Sequence, residues 1–158
     1  MIAGLTASAL TATAAPESGK PESNVFIEWK KYQLHNSFEQ QPGRLSDYLR
    51  SLYSPAIERA GGKLIGAFSN HIGPDSPSIF TLTQFNSLAI FQSSLSALAN
   101  DATYQHGLAE LDAGQGYPYV RMDSGLLKTF DGMPQPLLSD PNEKHAPRFF
   151  ELRCYESP

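Results

Sequence analysis

The sequence predicts an α+β fold in which two helices cover one face of a four-stranded antiparallel sheet. Three observations on residues 25–130 support this: some segments alternate apolar and polar residues, others carry apolar residues at helical spacing, and the two kinds follow each other as β-α-β-β-α-β. That order is the ferredoxin-like arrangement. Because both helices lie on one face, the opposite face of the sheet is open and needs a partner.

The first three elements are a strand, a helix and a strand. Residues 25–35 alternate apolar and polar side chains and predict the first strand. Apolar residues recur at helical spacing over 44–60, which predicts a helix that Pro55 kinks or shortens near its end. The glycine pair at 61–62 supplies the stop signal, and residues 63–72 predict the second strand.

The last three elements follow a turn rich in glycine and proline. Residues 78–85 predict a third strand, which forms a hairpin with the second. Ser87 is a candidate N-cap for the next helix, and a short helical segment follows through 104–111. A loop is predicted over 114–123 and the fourth strand over 124–130.

The composition and the motifs argue against several classes of binding partner, metal site and catalytic site. The formal net charge is −4, which argues against nucleic acid as a partner, because binding a phosphate backbone needs a basic field. The single cysteine, Cys154, excludes an internal disulfide and metal sites built from several cysteines. The four histidines lack metal-ligand spacing, and nucleotide-binding and nucleophile motifs are absent from the sequence. We therefore predict no metal and no cofactor, and the sequence identifies no catalytic residue.

The first fifteen residues have the composition of an export signal. They are uncharged and too few to span a bilayer, which takes about 20 apolar residues. Ala-Thr-Ala at 12–14 fits the small-x-small pattern of a cleavage site. We interpret 1–15 as an export signal without its basic region and 16–24 as a spacer, which predicts a periplasmic or extracellular protein with no stable membrane anchor. A disordered tail on a cytoplasmic protein is the alternative.

The end of the sequence repeats the first strand. Residues 149–155 (FFELRCY) align with residues 26–32 (FIEWKKY) as Phe-apolar-Glu-apolar-basic-x-Tyr. The proline-rich segment 131–147 that precedes the repeat suits an extended linker. We therefore interpret 148–158 as the truncated first strand of a second copy of the 25–130 domain. A chance similarity between two strands is the alternative.

Five segments carry a family resemblance: FIEWKKY (26–32), GGKLIGAF (61–68), IFTLTQFNSL (79–88), LANDATYQHGL (98–108) and FFELRCYESP (149–158). Spread over about residues 25–158, they resemble the NIPSNAP family. The resemblance implies a dimeric α+β barrel, in which two ferredoxin-like sheets pack open face against open face. Many members carry tandem domains, and many bacterial ones carry an export signal. The implied partner is a second NIPSNAP-like domain in the same chain or a second copy in a homodimer.

The sequence departs from the family pattern in two places. The helix after the third strand has no arginine, and Tyr104 stands where the family often has tryptophan. Any anionic contact that those groups make in other members is therefore not expected here.

The open sheet face is the predicted site. Inside a closed barrel, Glu28 and Lys30, two residues apart on the first strand, can hold a polar ligand between aromatic walls. A structural ion pair at a domain interface is the alternative. The predicted cavity-face residues are Glu28, Lys30, Tyr32, Thr81, Thr83 and Phe85.

The lack of a catalytic constellation favours a non-catalytic binding or interaction module, exported from the cell. The resemblance leaves one alternative, a small-molecule enzyme that uses the barrel cavity, because related dimeric α+β barrels include cofactor-free monooxygenases. A ligand-sized cavity faced by unpaired Glu28 and Lys30 would favour the enzyme or ligand-binding function, whereas a filled interface would favour the structural role.

Overall fold

The structure, a computed structural model, describes residues 23–36, 40–114, 116–138, 149–151 and 153. The predicted export signal, most of the predicted spacer and most of the predicted second copy lie outside these residues. Within them, no helix is long and apolar enough to cross a membrane. The elements are β1 (Phe26–Gln33), α1 (Gln41–Tyr48), a π-turn (Leu49–Tyr53), α2 (Ser54–Arg59), β2 (Gly62–Ser69), β3 (Ser78–Phe85), α3 (Leu88–Asn100), α4 (Ala102–Ala113) and β4 (Arg121–Lys128).

The four strands form one antiparallel sheet in the order β2-β3-β1-β4. The two strands that are adjacent in sequence, β2 and β3, pair as the predicted hairpin, with a register shift between Leu64 and Gly66. β1 occupies an inner position and pairs with both β3 and β4. The predicted ferredoxin-like α+β fold is confirmed.

The predicted first helix is interrupted where the sequence places Pro55. One turn of π-helix, Leu49–Tyr53, separates α1 from α2, and the proline lies in the first turn of α2. Proline lacks the N–H that would bond the preceding turn, so a local change in helical winding accommodates it there. Beyond α2, Gly61 adopts a φ of 94°, which ends the helix at the expected residue.

The fourth strand begins earlier than predicted. β4 spans Arg121–Lys128, whereas the sequence pattern places a loop over 114–123 and the strand over 124–130. Of its first four residues only Met122 is apolar, and Arg121 and Met122 are both exposed, so this segment carries little period-two signal. Hydrogen bonding to β1, from Arg121 opposite Gln33 onward, determines the start of the strand.

The helices lie over the β2–β3 half of one face of the sheet. α2 packs on β2, and α3 packs on β2 and β3. The predicted cap at Ser87 is present, since its hydroxyl accepts a hydrogen bond from Ile90 N at 3.1 Å. Asp101 caps α4 in the same way and also pairs with Arg59 at 2.6 Å. The buried core comprises Tyr32, Leu34, Leu45, Leu49, Tyr53, Ala56, Ile57, Ile79, Phe85, Leu98 and Tyr104.

Candidate functional site

The six predicted site residues share one face of the sheet, but it is the helix-covered face and not the open one. In the register of the sheet, Phe85 lies opposite Phe26, Thr83 opposite Glu28, and Thr81 opposite Lys30. The site residues on β3 are buried beneath the helices, as is Tyr32 on β1. The prediction that they line the open face was therefore wrong. Alternation along a strand identifies which residues lie together, but both faces of β1 mix apolar and charged residues, so the pattern does not identify the face that the helices cover.

On the helix-covered face, the β3 side chains belong to the packed interior. The ring of Phe85 contacts that of Phe91 on α3 edge to face, with centroids 5.2 Å apart. The Thr83 hydroxyl oxygen lies 3.1 Å from the Tyr53 hydroxyl oxygen, within hydrogen-bonding distance. These contacts join the sheet to the helices.

Glu28 and Lys30 form a mostly buried ion pair next to that interior. Lys30 Nζ lies 2.9 Å from Glu28 Oε2, and the two side chains are 17% and 12% exposed. The ammonium group also lies 5.4 Å from the centre of the Tyr53 ring, within the range of a cation–π contact. Lys30 is therefore held between a carboxylate and an aromatic ring.

Three tyrosines form a connected cluster that reaches this ion pair through Tyr53; we call them the tyrosine wall: Tyr48, Tyr53 and Tyr104. The hydroxyl oxygens of Tyr48 and Tyr104 lie 2.7 Å apart, and the rings of Tyr48 and Tyr53 stack with centroids 6.1 Å apart. Residues five apart diverge in an α-helix, but the wider winding of the π-turn returns them to one side. The π-turn therefore places Tyr48 and Tyr53 together beside the sheet.

The pKa values of Tyr32, Tyr48, Tyr53 and Lys30 are all raised, although burial is the cause only for the tyrosines. Burial raises the pKa of Tyr53, against the opposing effect of Lys30, and it raises the pKa of Tyr48, with a further contribution from Tyr104. The pKa of Tyr32 is also raised by burial. Burial acts to lower the pKa of Lys30, but Tyr53 and Glu28 outweigh it and hold that pKa above 10.5. At neutral pH Tyr32, Tyr48 and Tyr53 are neutral and Lys30 is charged.

The same face is accessible where it reaches β4. Leu126 lies opposite Glu28, and Ser124 lies opposite Lys30, so both share the face of the ion pair. The helices lie over β2 and β3 instead, and Leu126 stays 37% exposed. We call this surface the β4 surface; it is defined by Glu28, Lys30, Met122, Ser124 and Leu126.

The opposite side of the sheet, which we call the open face, is covered by no helix of the described residues. Trp29 lies against Gly125, where any side chain would collide with the indole. Leu127 on β4 is 53% exposed. Two basic side chains of this face form ion pairs, Lys31 with Asp75 and Arg121 with Asp123. Its apolar side chains are Ile27, Trp29, Phe68, Phe80, Leu82 and Leu127.

Two later parts of the chain contact the open face. Gln84 donates a hydrogen bond to Gln135 at 3.2 Å. Phe150, in the predicted second copy, meets Phe68 edge to face with centroids 5.2 Å apart. The start of the repeat therefore lies against β2.

A separate cleft of about 630 Å³ lies beyond the end of β1. The buried Gln41 crosses its base, where its side chain accepts a hydrogen bond from His35 N and donates one to Tyr117 O. No sequence pattern indicated this cleft, because its walls come from helices and loops that are far apart in the sequence. It is lined by His35, Gln41, Asp112, Tyr117, Pro118, Tyr119 and Val120.

The part of the chain that the structure describes holds no group of three or more metal-binding side chains. His106 and Glu110 lie 3.7 Å apart on the exposed side of α4. Two such groups do not form a metal site.

The comparison with protein-family models identifies one family. The family model of NIPSNAP matches residues 29–128. A NIPSNAP family protein from Agrobacterium tumefaciens is 21% identical, with a TM-score of 0.56 over 70% of this chain and 97% of that one. An uncharacterized NIPSNAP-like domain protein from Burkholderia xenovorans is 22% identical, with a TM-score of 0.53 over 75% and 97%. At these identities the two structures show the fold alone. No curated protein matches the sequence.

Proposed function

This chain belongs to the NIPSNAP family, and on that premise we propose that it is an exported, non-catalytic binding module whose open face packs against a second ferredoxin-like layer. The observation that carries the proposal is the apolar character of the open face. Trp29 and Leu82 lie at its centre and Leu127 at its side, although no helix of the described residues covers it. Contiguous apolar surface of this kind marks interaction sites in folded proteins.

In this proposal, the second layer is a second copy of the chain. A twofold interface brings the same patch of both copies together, so like charges meet unless they are neutralised. Lys31 and Arg121 each have an acidic partner within their own copy, Asp75 and Asp123. Two open faces can therefore approach without net repulsion between these groups. The contact of Phe150 with Phe68 supports the choice of this face, because it brings an additional aromatic side chain to it.

Two observations support the non-catalytic and exported parts of the proposal. The open face offers apolar side chains and paired charges, which suit association better than proton transfer. The uncharged segment 1–15, with its small-x-small tripeptide, supports export.

A small-molecule enzyme is the second candidate function. The observation that favours it is the placement of Lys30, a proton-bearing group that is 17% exposed, beside the accessible β4 surface.

Association through the open face is tested by two substitutions of adjacent leucines. Leu127 lies on the open face, whereas Leu126 lies on the helix-covered face. We expect the full chain to be a dimer in light scattering after gel filtration. Leu127→Asp places one unpaired carboxylate per copy in the interface. Each carboxylate costs about 1–3 kcal/mol of binding free energy, so we expect the dissociation constant of the dimer to rise about 100-fold.

Leu126→Asp is the matched control, because it adds the same charge one residue away and leaves the dimer intact. A monomeric wild-type chain at 100 μM would overturn the proposal of a second copy. Equal weakening by both substitutions would overturn the assignment of the interface to the open face.

A further inference from the structure

We propose that the cleft beyond the end of β1 binds a quaternary ammonium group, such as that of choline, through one carboxylate and two tyrosine rings. The carboxylate is that of Asp112, and the rings are those of Tyr117 and Tyr119. The cleft has a volume of about 630 Å³, within the range of roughly 300–1,000 Å³ that small-molecule sites occupy. Its lining shares no residue with the open face, so the proposal does not depend on how that face is covered.

The wall that carries the two tyrosines is held by hydrogen bonds at both ends. At one end, the buried Gln41 donates a hydrogen bond to Tyr117 O at 2.7 Å. At the other end, Val120 N donates one to the last carbonyl of β1 at 2.8 Å. Between these ends, the ring of Tyr119 meets the buried ring of Tyr32 edge to face, with centroids 5.2 Å apart. The cleft is therefore formed before a ligand arrives, which lowers the ordering cost of binding.

The tyrosine rings of the cleft can be reached from solvent. Tyr117 is 82% exposed, and Tyr119 is partly exposed. A cation within about 6 Å of the centre of a tyrosine ring is attracted by the negative face of that ring. Pro118 and the exposed Val120 add aliphatic surface, which suits methyl groups. This lining favours a cation that carries alkyl groups over a small hydrated ion.

The formal charge of the described lining is negative. With histidine counted as neutral, Asp112 is its one charged residue, and this side chain is exposed. Asp112 lies in the last turn of α4, where the negative end of the helix dipole adds to its charge. Arg44 offsets part of this potential, because its guanidinium donates to Leu111 O at 2.6 Å and to Gly116 O at 3.2 Å. The selectivity for a cation therefore depends on close contact with Asp112 and the tyrosine rings.

The few hydrogen-bonding side chains of the described lining select a quaternary ammonium group over a primary amine. The Gln41 side chain is already engaged, since it accepts a hydrogen bond from His35 N and donates one to Tyr117 O. A primary ammonium has three N–H donors, and each donor that enters the cleft without an acceptor costs free energy. A quaternary ammonium has no N–H donor, so its nitrogen gives up no hydrogen bond to water.

The test measures binding of three probes to the full chain by amide chemical shifts in NMR. The probes are choline, ethanolamine and 3,3-dimethylbutan-1-ol, which carry a quaternary ammonium, a primary ammonium and an uncharged group with the shape of the quaternary one. We expect choline to bind about tenfold more tightly than either of the other two probes. The shifts should centre on Asp112, Tyr119 and Val120.

Two substitutions remove parts of this recognition without entering the core. Asp112→Asn and Tyr117→Leu each alter an exposed side chain, and we expect each to weaken choline binding about threefold. The double variant should lose the preference for choline over the uncharged alcohol. Glu110→Gln is the matched control and should keep the preference, because Glu110 is a 72% exposed carboxylate two residues away on α4.

Five outcomes would overturn the proposal: equal binding of choline and the uncharged alcohol, tighter binding of ethanolamine, shifts centred outside the cleft, a preference that survives in the double variant, or no binding of choline up to about 50 mM. Failure here and failure of the dimer are distinguishable through Leu127→Asp. That substitution should weaken the dimer and leave choline binding unchanged, whereas the double variant should do the opposite.

Discussion

Replacing Phe85 by alanine is expected to lower the free energy of unfolding by about 3–5 kcal/mol, as for other large-to-small changes in cores. Phe85 is 1% exposed, and its ring packs against Phe91 and closely over Gly62. Removal of the ring leaves a cavity that the sheet and the helices can only partly close. A loss of this size is a large share of the total stability of a small domain, which is about 5–15 kcal/mol.

Urea denaturation of the full chain, at one protein concentration for all variants, measures this loss. Phe149→Ala is the control, because Phe149 is 83% exposed and its removal should change the free energy by less than about 0.5 kcal/mol. Phe85→Leu supplies a milder variant if the alanine variant does not fold. If Phe85→Ala leaves the stability unchanged, Phe85 does not lie in the core, and the assignment of the helix-covered face fails with it.

Raising the pH above about 10 is expected to destabilise the protein steeply, because Tyr32, Tyr48, Tyr53 and Lys30 all bind protons more tightly when folded. Below the pKa values of the unfolded chain, these groups are protonated in both states and their stabilisation is complete. Above them, the unfolded chain releases protons that the folded protein still holds. Stability is therefore lost as the pH rises from the unfolded toward the folded pKa values, by up to about 1.4 kcal/mol per pH unit for each group.

The measurement is the free energy of unfolding in urea at several pH values between 9 and 12. Tyr48→Phe removes one of the contributing protons and should make the slope shallower by up to about 1.4 kcal/mol per pH unit. Tyr117→Phe, at an exposed tyrosine, is the matched control and should keep the wild-type slope. A slope identical in both variants and in the wild type would contradict a buried tyrosine wall.

The order of elements could be predicted from the sequence because each strand and helix carries its own pattern. Residues 78–85 alternate clearly, and Ser87 provides a cap, so β3 and the start of α3 were identified nearly to the residue. β4 has no such signal at Arg121, because hydrogen bonding to β1 rather than side-chain burial holds this residue in the strand.

The site was predictable only in part. The alternation of Glu28, Lys30 and Tyr32 correctly grouped these residues on one face. Their position beneath the helices depends on packing between distant elements, which a local pattern does not encode. The tyrosine wall was not predicted, because Tyr48 and Tyr53 come together only through the π-turn.

Because both sides of β4 form surfaces of the protein, insertions and deletions within this strand are constrained. Leu126 and Leu127 are neighbours in sequence but point to opposite sides of an edge strand. A one-codon deletion or insertion within β4 would move the residues beyond it to the opposite side of the sheet, converting part of the β4 surface into part of the open face and the reverse. Changes of length are tolerable in the turns around β4, whereas inside the strand only point substitutions, or paired insertions that restore the register, can preserve both surfaces.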